Sequence, residues 1–202
     1  MAASALLGAP AAAAQSCPQK RPTDPSGGLL HYTDPAGVTF HDANDVRVWY
    51  ATDGPDAVAP SPTGSSGAPE NVELVGAILD DALAQFTSWG FEPPLTNGVT
   101  VTCSGFMLLD SSLSHYDSFE EGVRVVGPHE LFHLVQNAYA ANDDAWWGEG
   151  TAQWAADRIH PELDDLEGFL PYFFAEPNRP LDLSGGGVTN AWLYATAIWP
   201  VF

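Results

Sequence analysis

The amino-acid sequence predicts a single α+β domain, and three observations support that prediction. The chain has 202 residues, 45% of them apolar, which is enough to bury one core. Apolar residues recur at helical spacing in several segments, and β-branched and aromatic residues alternate in shorter ones. The order of these segments predicts a small twisted sheet with a backing helix, followed by a mainly helical part.

The first 28 residues differ in composition from the rest of the chain. They begin with small apolar residues, and the alanine run at 12–14 before Gln15 is typical of a signal-peptidase site, although no basic segment precedes it. Residues 18–28 are polar and rich in proline and glycine, as in a linker. We expect residues 1–28 to be a signal-like segment and linker, and residues 29–202 to be the folded domain of a secreted protein. The alternative is an alanine-rich tail on a chain that is not exported.

Composition narrows the classes of partner and site. The chain has 26 acidic and six basic side chains, a formal charge of −20, which argues against nucleic acid and anionic membranes as partners. No apolar stretch approaches the length of a transmembrane helix. The two cysteines, Cys17 and Cys103, lie in no CxxC pair, so a cysteine metal site is not expected. Whether they form a disulfide stays open.

In the first part of the domain the patterns predict strands on either side of one helix. Apolar residues at helical spacing predict a helix over Glu70–Trp89, ended by Gly90. Runs of β-branched and aromatic residues predict three strands, at Asp45–Ala51, Val99–Leu109 and Val123–Val126. The third strand is expected to stop at Gly127-Pro128.

The second part of the domain is predicted to be helical. A helix is expected from Pro128 to Ala141, because proline is tolerated in a first helical turn. After a break at 142–144, a second helix is expected over Trp146–Ile159, limited by Pro161. Residues 160–190 are expected to be irregular, with a short helix near Leu166–Phe174. The apolar run from Asn190 predicts a last helix that either is interrupted at Pro200 or belongs to a chain truncated at Phe202.

The segment 129–133, HELFH, matches the HExxH motif of metal-dependent hydrolases. Residues four apart lie on one face of a helix, so His129 and His133 can bind one metal ion. A glutamate beside such a site can accept a proton from water that the metal activates. The motif therefore predicts a zinc ion (Zn²⁺) bound by the two histidines, with Glu130 as the general base.

The third ligand must come from elsewhere, because a catalytic zinc usually takes three protein ligands and leaves one position for water. The glycine and third histidine of the metzincin pattern are missing, since Gln136 and Tyr139 stand at those positions. We predict Glu149, in the segment WWGEGTAQW at 146–154, as the third ligand of one zinc per chain. Its alternative role is that of an acid near a helix N-terminus.

Nearby polar residues are weaker candidates. Asp143 and Asp144 are expected to be solvated turn residues and not ligands. Asp157 and His160 are expected at the surface. The alternative is that one of them orients a residue that binds the metal.

The two motifs together resemble the gluzincin metallopeptidases of peptidase clan MA, over residues 123–158. The strand–helix–strand order of residues 41–110 is also similar to the upper subdomain of zincins. The resemblance implies a zincin-like α+β fold with a mixed sheet, and zinc-dependent hydrolysis of a peptide or protein substrate. Substrate is expected in the cleft, extending the edge strand near Val123–Val126 by backbone pairing.

One position departs from the pattern of the thermolysin-like members. They carry an aspartate four residues after the ligand glutamate, hydrogen-bonded to a ligand histidine, where this chain has the neutral Gln153. Gluzincins often aim a hydroxyl at the oxyanion of the tetrahedral intermediate. Tyr172 and Tyr194 are both candidates for that role.

Two other interpretations of the motif stay open. One is a zinc-binding extracellular protein, or an inactive zincin homologue, that does not turn over peptides. The other is a binding or structural module in which HExxH occurs by chance.

Overall fold

A computed structural model of the chain describes residues 32–94, 105–139, 144–183 and 190–201. These residues contain one two-stranded sheet, six α-helices and two single-turn 3₁₀ helices, at Pro35–Gly37 and Pro161–Leu163. The strands are β1 (Val38–Asp42) and β2 (Arg47–Ala51), and the helices are α1 (Glu70–Ser88), α2 (Phe119–Tyr139), α3 (Ala145–Ile159), α4 (Asp165–Ala175), α5 (Ala191–Ala195) and α6 (Ile198–Val201). Within the described ranges, no helix is long and apolar enough to cross a membrane.

The sheet is an antiparallel hairpin, in which β1 pairs with β2 from Val38 opposite Ala51 to Asp42 opposite Arg47. Strand β2 confirms the strand predicted at Asp45–Ala51, whereas β1 was not predicted. On one face the rings of Phe40 and Trp49 lie 5.1 Å apart. The guanidinium of Arg47 lies over Phe40, at 4.0 Å from the ring centre.

Helix α1 confirms the predicted backing helix. Its apolar side is buried and belongs to the main core, which includes Leu79, Ala82 and Phe86. The ring of Phe86 packs edge-on against Phe132 of α2, with centroids 5.0 Å apart. The helix ends where Gly90 takes a φ of 90°, the left-handed conformation that glycine adopts without a steric cost.

Helix α2 overturns the strand predicted at Val123–Val126 and begins earlier than predicted. Its first turn is capped by the Ser118 hydroxyl, which accepts the backbone N–H of Glu121 at 3.0 Å. Pro128 lies inside the helix and not at its start. Because the backbone groups of 123–126 are used within a helix, this segment cannot extend a substrate strand, and that expectation is wrong.

The strand predicted at Val99–Leu109 is also wrong where it can be assessed. Residues 105–109 have no regular secondary structure. Residues 99–104, which include Cys103, lie outside the described part of the chain. Met107 and Leu109 are half-buried against the main core. The mixed sheet implied by the family resemblance is thus a two-stranded antiparallel hairpin in the described residues.

The helical second part follows the predictions closely. Helices α3 and α4 confirm the predictions at Trp146–Ile159 and Leu166–Phe174, with ends shifted by one residue. The predicted last helix is two short helices, α5 and α6, separated at Thr196-Ala197 and not interrupted at Pro200. Helix α3 packs against α2, and the α5–α6 segment packs against α3. This layering brings residues from three distant segments to one place.

Candidate metal centre

Helix α2 presents two histidines on one face. His129 and His133 are one helical turn apart, and their ring centroids are 4.9 Å apart in an edge-to-face arrangement. His129 is buried, with 7% of its surface exposed, while His133 is half-buried. The ring of His133 is thus the more exposed of the two, and the ring of His129 lies deeper in the protein.

Glu149 meets both rings from helix α3. Its Oε2 atom lies 3.2 Å from Nε2 of His129 and 3.5 Å from Nε2 of His133. Ligand atoms of the three residues all lie within 4.8 Å of one another. The structure thus brings together the three residues that the sequence singled out as ligands.

Gly150 allows the close approach that positions Glu149. A side chain at Gly150 would collide with Oγ1 of Thr196 and would lie 3.2 Å from the backbone nitrogen of Ala197. The Thr196 hydroxyl also lies 2.8 Å from the carbonyl oxygen of Trp146. Gly148, by contrast, has open space around it. Of the two glycines that flank Glu149, only Gly150 is needed for packing.

The donor set of this cluster fits zinc. Two imidazole nitrogens and one carboxylate oxygen are a recurrent catalytic zinc shell, which leaves a position for water. Calcium and magnesium prefer shells of oxygen ligands alone. The half-buried setting also suits a cation, because a buried carboxylate needs a positive partner. Residues His129, His133 and Glu149 would therefore hold the ion.

The charges in the cluster are strongly coupled. Burial raises the pKa of Glu149, but hydrogen bonds from His129 and His133 outweigh it and lower the pKa to about 2. Burial lowers the pKa of His133, but hydrogen bonds with Glu149 and Gln136 outweigh that effect, so the net shift is upward. Glu149 is therefore a carboxylate at all ordinary pH values, as a metal ligand must be.

Glu130 lies beside the cluster and outside the group of three. It follows His129 on α2 and is half-buried. Its negative charge contributes to the raised pKa of His133 and of Tyr194. Its carboxylate is therefore close enough to the cluster to affect its charges, and it is not one of the three grouped residues.

Tyr194 of α5 completes the site, whereas Tyr172 does not. The Tyr194 ring lies 5.6 Å from the His129 ring and stacks on Phe169 at 5.1 Å. Burial and the charges of Glu149 and Glu130 raise the pKa of Tyr194 to about 12, and the phenol hydrogen-bonds to Glu149. Tyr172 lies on α4, and 54% of its surface is exposed. Of the two tyrosines considered from the sequence, only Tyr194 contacts the cluster.

The glutamines around the cluster differ from what the family resemblance implied. Gln153 is buried and donates from Nε2 to Oδ2 of Asp165 at 2.6 Å. Gln136 instead contacts a histidine, since its Oε1 lies 2.8 Å from Nδ1 of His133. The sequence signal for this contact was the spacing of three residues on one helix, which places the two side chains on one face.

The weaker candidates that the structure describes are not part of the cluster. Asp144 is exposed at the start of α3, and Asp143 lies outside the described residues. Asp157 accepts the backbone N–H of Leu166. His160 pairs with Glu162, with Nδ1 and Oε1 3.3 Å apart.

Comparisons of the chain with models of protein families, with curated proteins and with solved structures found no match.

Proposed function

We propose that the chain is a zinc-dependent peptidase of the gluzincin type, with a zincin-like fold, and that it hydrolyses peptide bonds in a peptide or protein substrate. One observation carries this proposal. Glu149 lies 20 residues beyond His129, yet its carboxylate meets both histidines of the HExxH helix. A chance HExxH on a surface helix has no reason to recruit a carboxylate from the next helix.

Each residue of the cluster has a distinct role in the proposed reaction. His129, His133 and Glu149 would hold the metal, which when bound would lower the pKa of water from 15.7 to about 7 and polarise a carbonyl. Glu130 accepts a proton from the attacking water and passes it to the leaving amine. The charge of Glu130 acts on both His133 and Tyr194, which supports a proton transfer within the site.

Tyr194 is the proposed donor to the oxyanion of the tetrahedral intermediate. Since its pKa is raised to about 12, its hydroxyl keeps its proton throughout the neutral range. A neutral donor held beside the site stabilises negative charge as it develops on the substrate oxygen. The hydrogen bond to Glu149 holds the phenol in place before substrate binds.

The proposal extends to the location of the protein. The signal-like segment at residues 1–28 supports export, and the formal charge of −20 suits a protein that acts in solution on peptides. Neither nucleic acid nor an anionic membrane is a proposed partner, because both would repel such a charge.

Replacement of Glu130 by glutamine tests the proposal most directly. Glutamine keeps the size of the side chain but cannot accept the proton, so hydrolysis of a labelled protein substrate should fall by roughly 10²–10⁴-fold. Zinc content, measured by atomic spectrometry, should stay near one ion per chain. The matched control is Glu120→Gln, which changes an exposed glutamate of the same helix.

The other outcomes separate the alternatives. Wild-type protein without zinc would contradict the metal centre. Loss of zinc from Glu130→Gln would make Glu130 a ligand and not the base. Zinc in wild type without hydrolysis of any peptide library would favour a zinc-binding protein without turnover.

A further inference from the structure

We infer that Gln136 is a positioning residue for the metal centre: it holds His133 in the tautomer that leaves Nε2 free to bind a metal. The inference rests on the proposed function. It assigns to a residue of the HExxH helix a role that the family resemblance would give to the residue four positions after Glu149. That residue here is Gln153, whose amide donates to Asp165.

The orientation of the Gln136 amide is fixed by its surroundings. Its Nε2 lies 2.9 Å from the carbonyl oxygen of Gly148, which can only accept a hydrogen bond. The same Nε2 lies 2.7 Å from Oγ1 of Thr151. The Thr151 hydroxyl donates its own proton to the carbonyl oxygen of Trp147 at 2.7 Å, so it accepts from Gln136. Both N–H groups of the amide are therefore directed at α3.

The tautomer of His133 follows from that orientation. With Nε2 of Gln136 turned to α3, its Oε1 is the atom that faces Nδ1 of His133, at 2.8 Å. An amide oxygen only accepts, so Nδ1 must carry a proton. In the charged imidazole Nε2 also carries a proton, which it donates to Glu149. Without that proton, the neutral imidazole has its lone pair at Nε2, where a metal can bind. This nitrogen is the one that points to Glu149, at 3.5 Å.

The same amide also joins the two helices that supply the ligands. Gln136 and His133 lie on α2, while Gly148 and Thr151 flank Glu149 on α3. Thr151 is buried, so its hydroxyl has a fixed place. One side chain thus sets the ring of His133 and its distance from the turn that carries Glu149. Partners of this kind usually contribute roughly 10–100-fold to metal affinity.

The first test measures zinc affinity by competition with a chelating dye. Gln136→Met keeps the length of the side chain but removes both the acceptor and the donors, so affinity should fall by roughly 10–100-fold. Gln136→Glu keeps an acceptor for Nδ1 and should retain more affinity than Gln136→Met. The control is Gln153→Met, which removes a buried amide of α3 that bonds to Asp165 and should leave zinc affinity unchanged.

The second test observes the tautomer itself in metal-free protein, by nitrogen-15 NMR of the imidazoles at alkaline pH. Wild type should show His133 with its proton on Nδ1, and Gln136→Met should shift the population towards the Nε2-protonated form. A variant that merely loosened the fold would change the denaturation midpoint without selecting one tautomer.

Each result has one meaning. The role of Gln136 would be overturned if Gln136→Met bound zinc as tightly as wild type does. It would also be overturned if the His133 tautomer were unchanged in that variant. A loss of affinity in Gln153→Met equal to that in Gln136→Met would overturn it as well. Failure of the wild type to bind zinc would instead refute the proposed function, and the NMR result would still decide what Gln136 does.

Discussion

Two carboxylates of helix α3, Glu149 and Asp157, are similarly exposed, but their pKa values shift in opposite directions. Both are half-buried, and they lie on the same helix eight residues apart. Yet the pKa of Glu149 is lowered to about 2, whereas the pKa of Asp157 is raised. Burial alone cannot explain the difference, since it raises the pKa of both groups.

The neighbours of the two groups decide the sign. Glu149 accepts hydrogen bonds from two histidines, and these favour its charged form. Asp157 is half-buried and lies near the negative charges of Glu167 and Asp165, and the backbone N–H of Leu166 offsets them only in part. The histidines therefore favour the charged form of Glu149, whereas the neighbouring carboxylates favour a proton on Asp157. The difference between them is what distinguishes the proposed metal site from an acidic surface.

The largest effect is expected on metal binding. Glu149→Gln should lose stoichiometric zinc and all detectable hydrolysis, because the neutral amide is a poor substitute for the third ligand. Asp157→Asn, the matched change on the same helix, should keep both. Zinc is measured on protein dialysed against metal-free buffer. If Asp157→Asn lost zinc and Glu149→Gln retained it, the assignment of ligands would be wrong.

The next largest effect is expected at Tyr194, the tyrosine that contacts Glu149. Tyr194→Phe should lower kcat by roughly 10²–10³-fold, the usual cost of removing one oxyanion donor, with little change in zinc content. Tyr172→Phe is the control, because Tyr172 is the exposed tyrosine that the sequence offered equally. Steady-state kinetics on one peptide substrate would separate kcat from KM. Equal activity of Tyr194→Phe and wild type would remove the phenol from the mechanism.

The glycines on either side of Glu149 provide a smaller test. Gly150→Ala should destabilise the protein by about 1–3 kcal/mol, because the new methyl group collides with Thr196 in a packed interface. Gly148→Ala meets open space and should be neutral or stabilising, since alanine favours the helix. Thermal denaturation of the two variants compares them directly. A neutral Gly150→Ala would mean that the α5–α6 segment is not needed to position Glu149.

The site was predictable from the sequence because its main signals are local. The spacing of His129 and His133 follows from helical geometry, and the glutamate that completes the group lies on the next predicted helix. Helices α1, α3 and α4 were predictable for the same reason, since apolar residues at helical spacing need one buried face.

The errors arose where tertiary context overrides local preference. The β-branched residues at Val123–Val126 favoured a strand, but the Ser118 cap starts a helix before them, and Val123 is fully buried in it. Strand β1 ends in His41 and Asp42, and it is held by pairing with β2 and by the ion pair of Asp42 with Arg47. Neither contact is visible in a local pattern.

The sequence offered Tyr194 and Tyr172 equally as the oxyanion donor, and only the fold distinguishes them. Tyr194 lies 45 residues after Glu149 in the chain and reaches the cluster because α5 packs on α3. From the sequence, Gln136 could be recognised only as a residue on the helix face that carries His133. Its contact with α3 could be found only from the arrangement of the two helices.

The smallest expected effect is a difference in the pH dependence of stability between the two carboxylate variants, measured in zinc-free protein with a chelator present. The folded-state pKa of Asp157 lies above its ordinary value of 3.8, so its ionisation costs stability as pH rises from 3.8 through the raised pKa. Asp157→Asn removes that cost and keeps an oxygen for the Leu166 N–H, so its urea midpoint should exceed that of wild type at pH 7. The gain should vanish below pH 3.8.

The pKa shift of Glu149 has the opposite sign. Its pKa falls from 4.5 to about 2, so the stability that it contributes is present above pH 4.5 and is lost as pH falls towards 2. Glu149→Gln should therefore lower the midpoint at pH 7. A raised midpoint at pH 7 in both variants would show that burial, and not the neighbouring charges, governs the two groups.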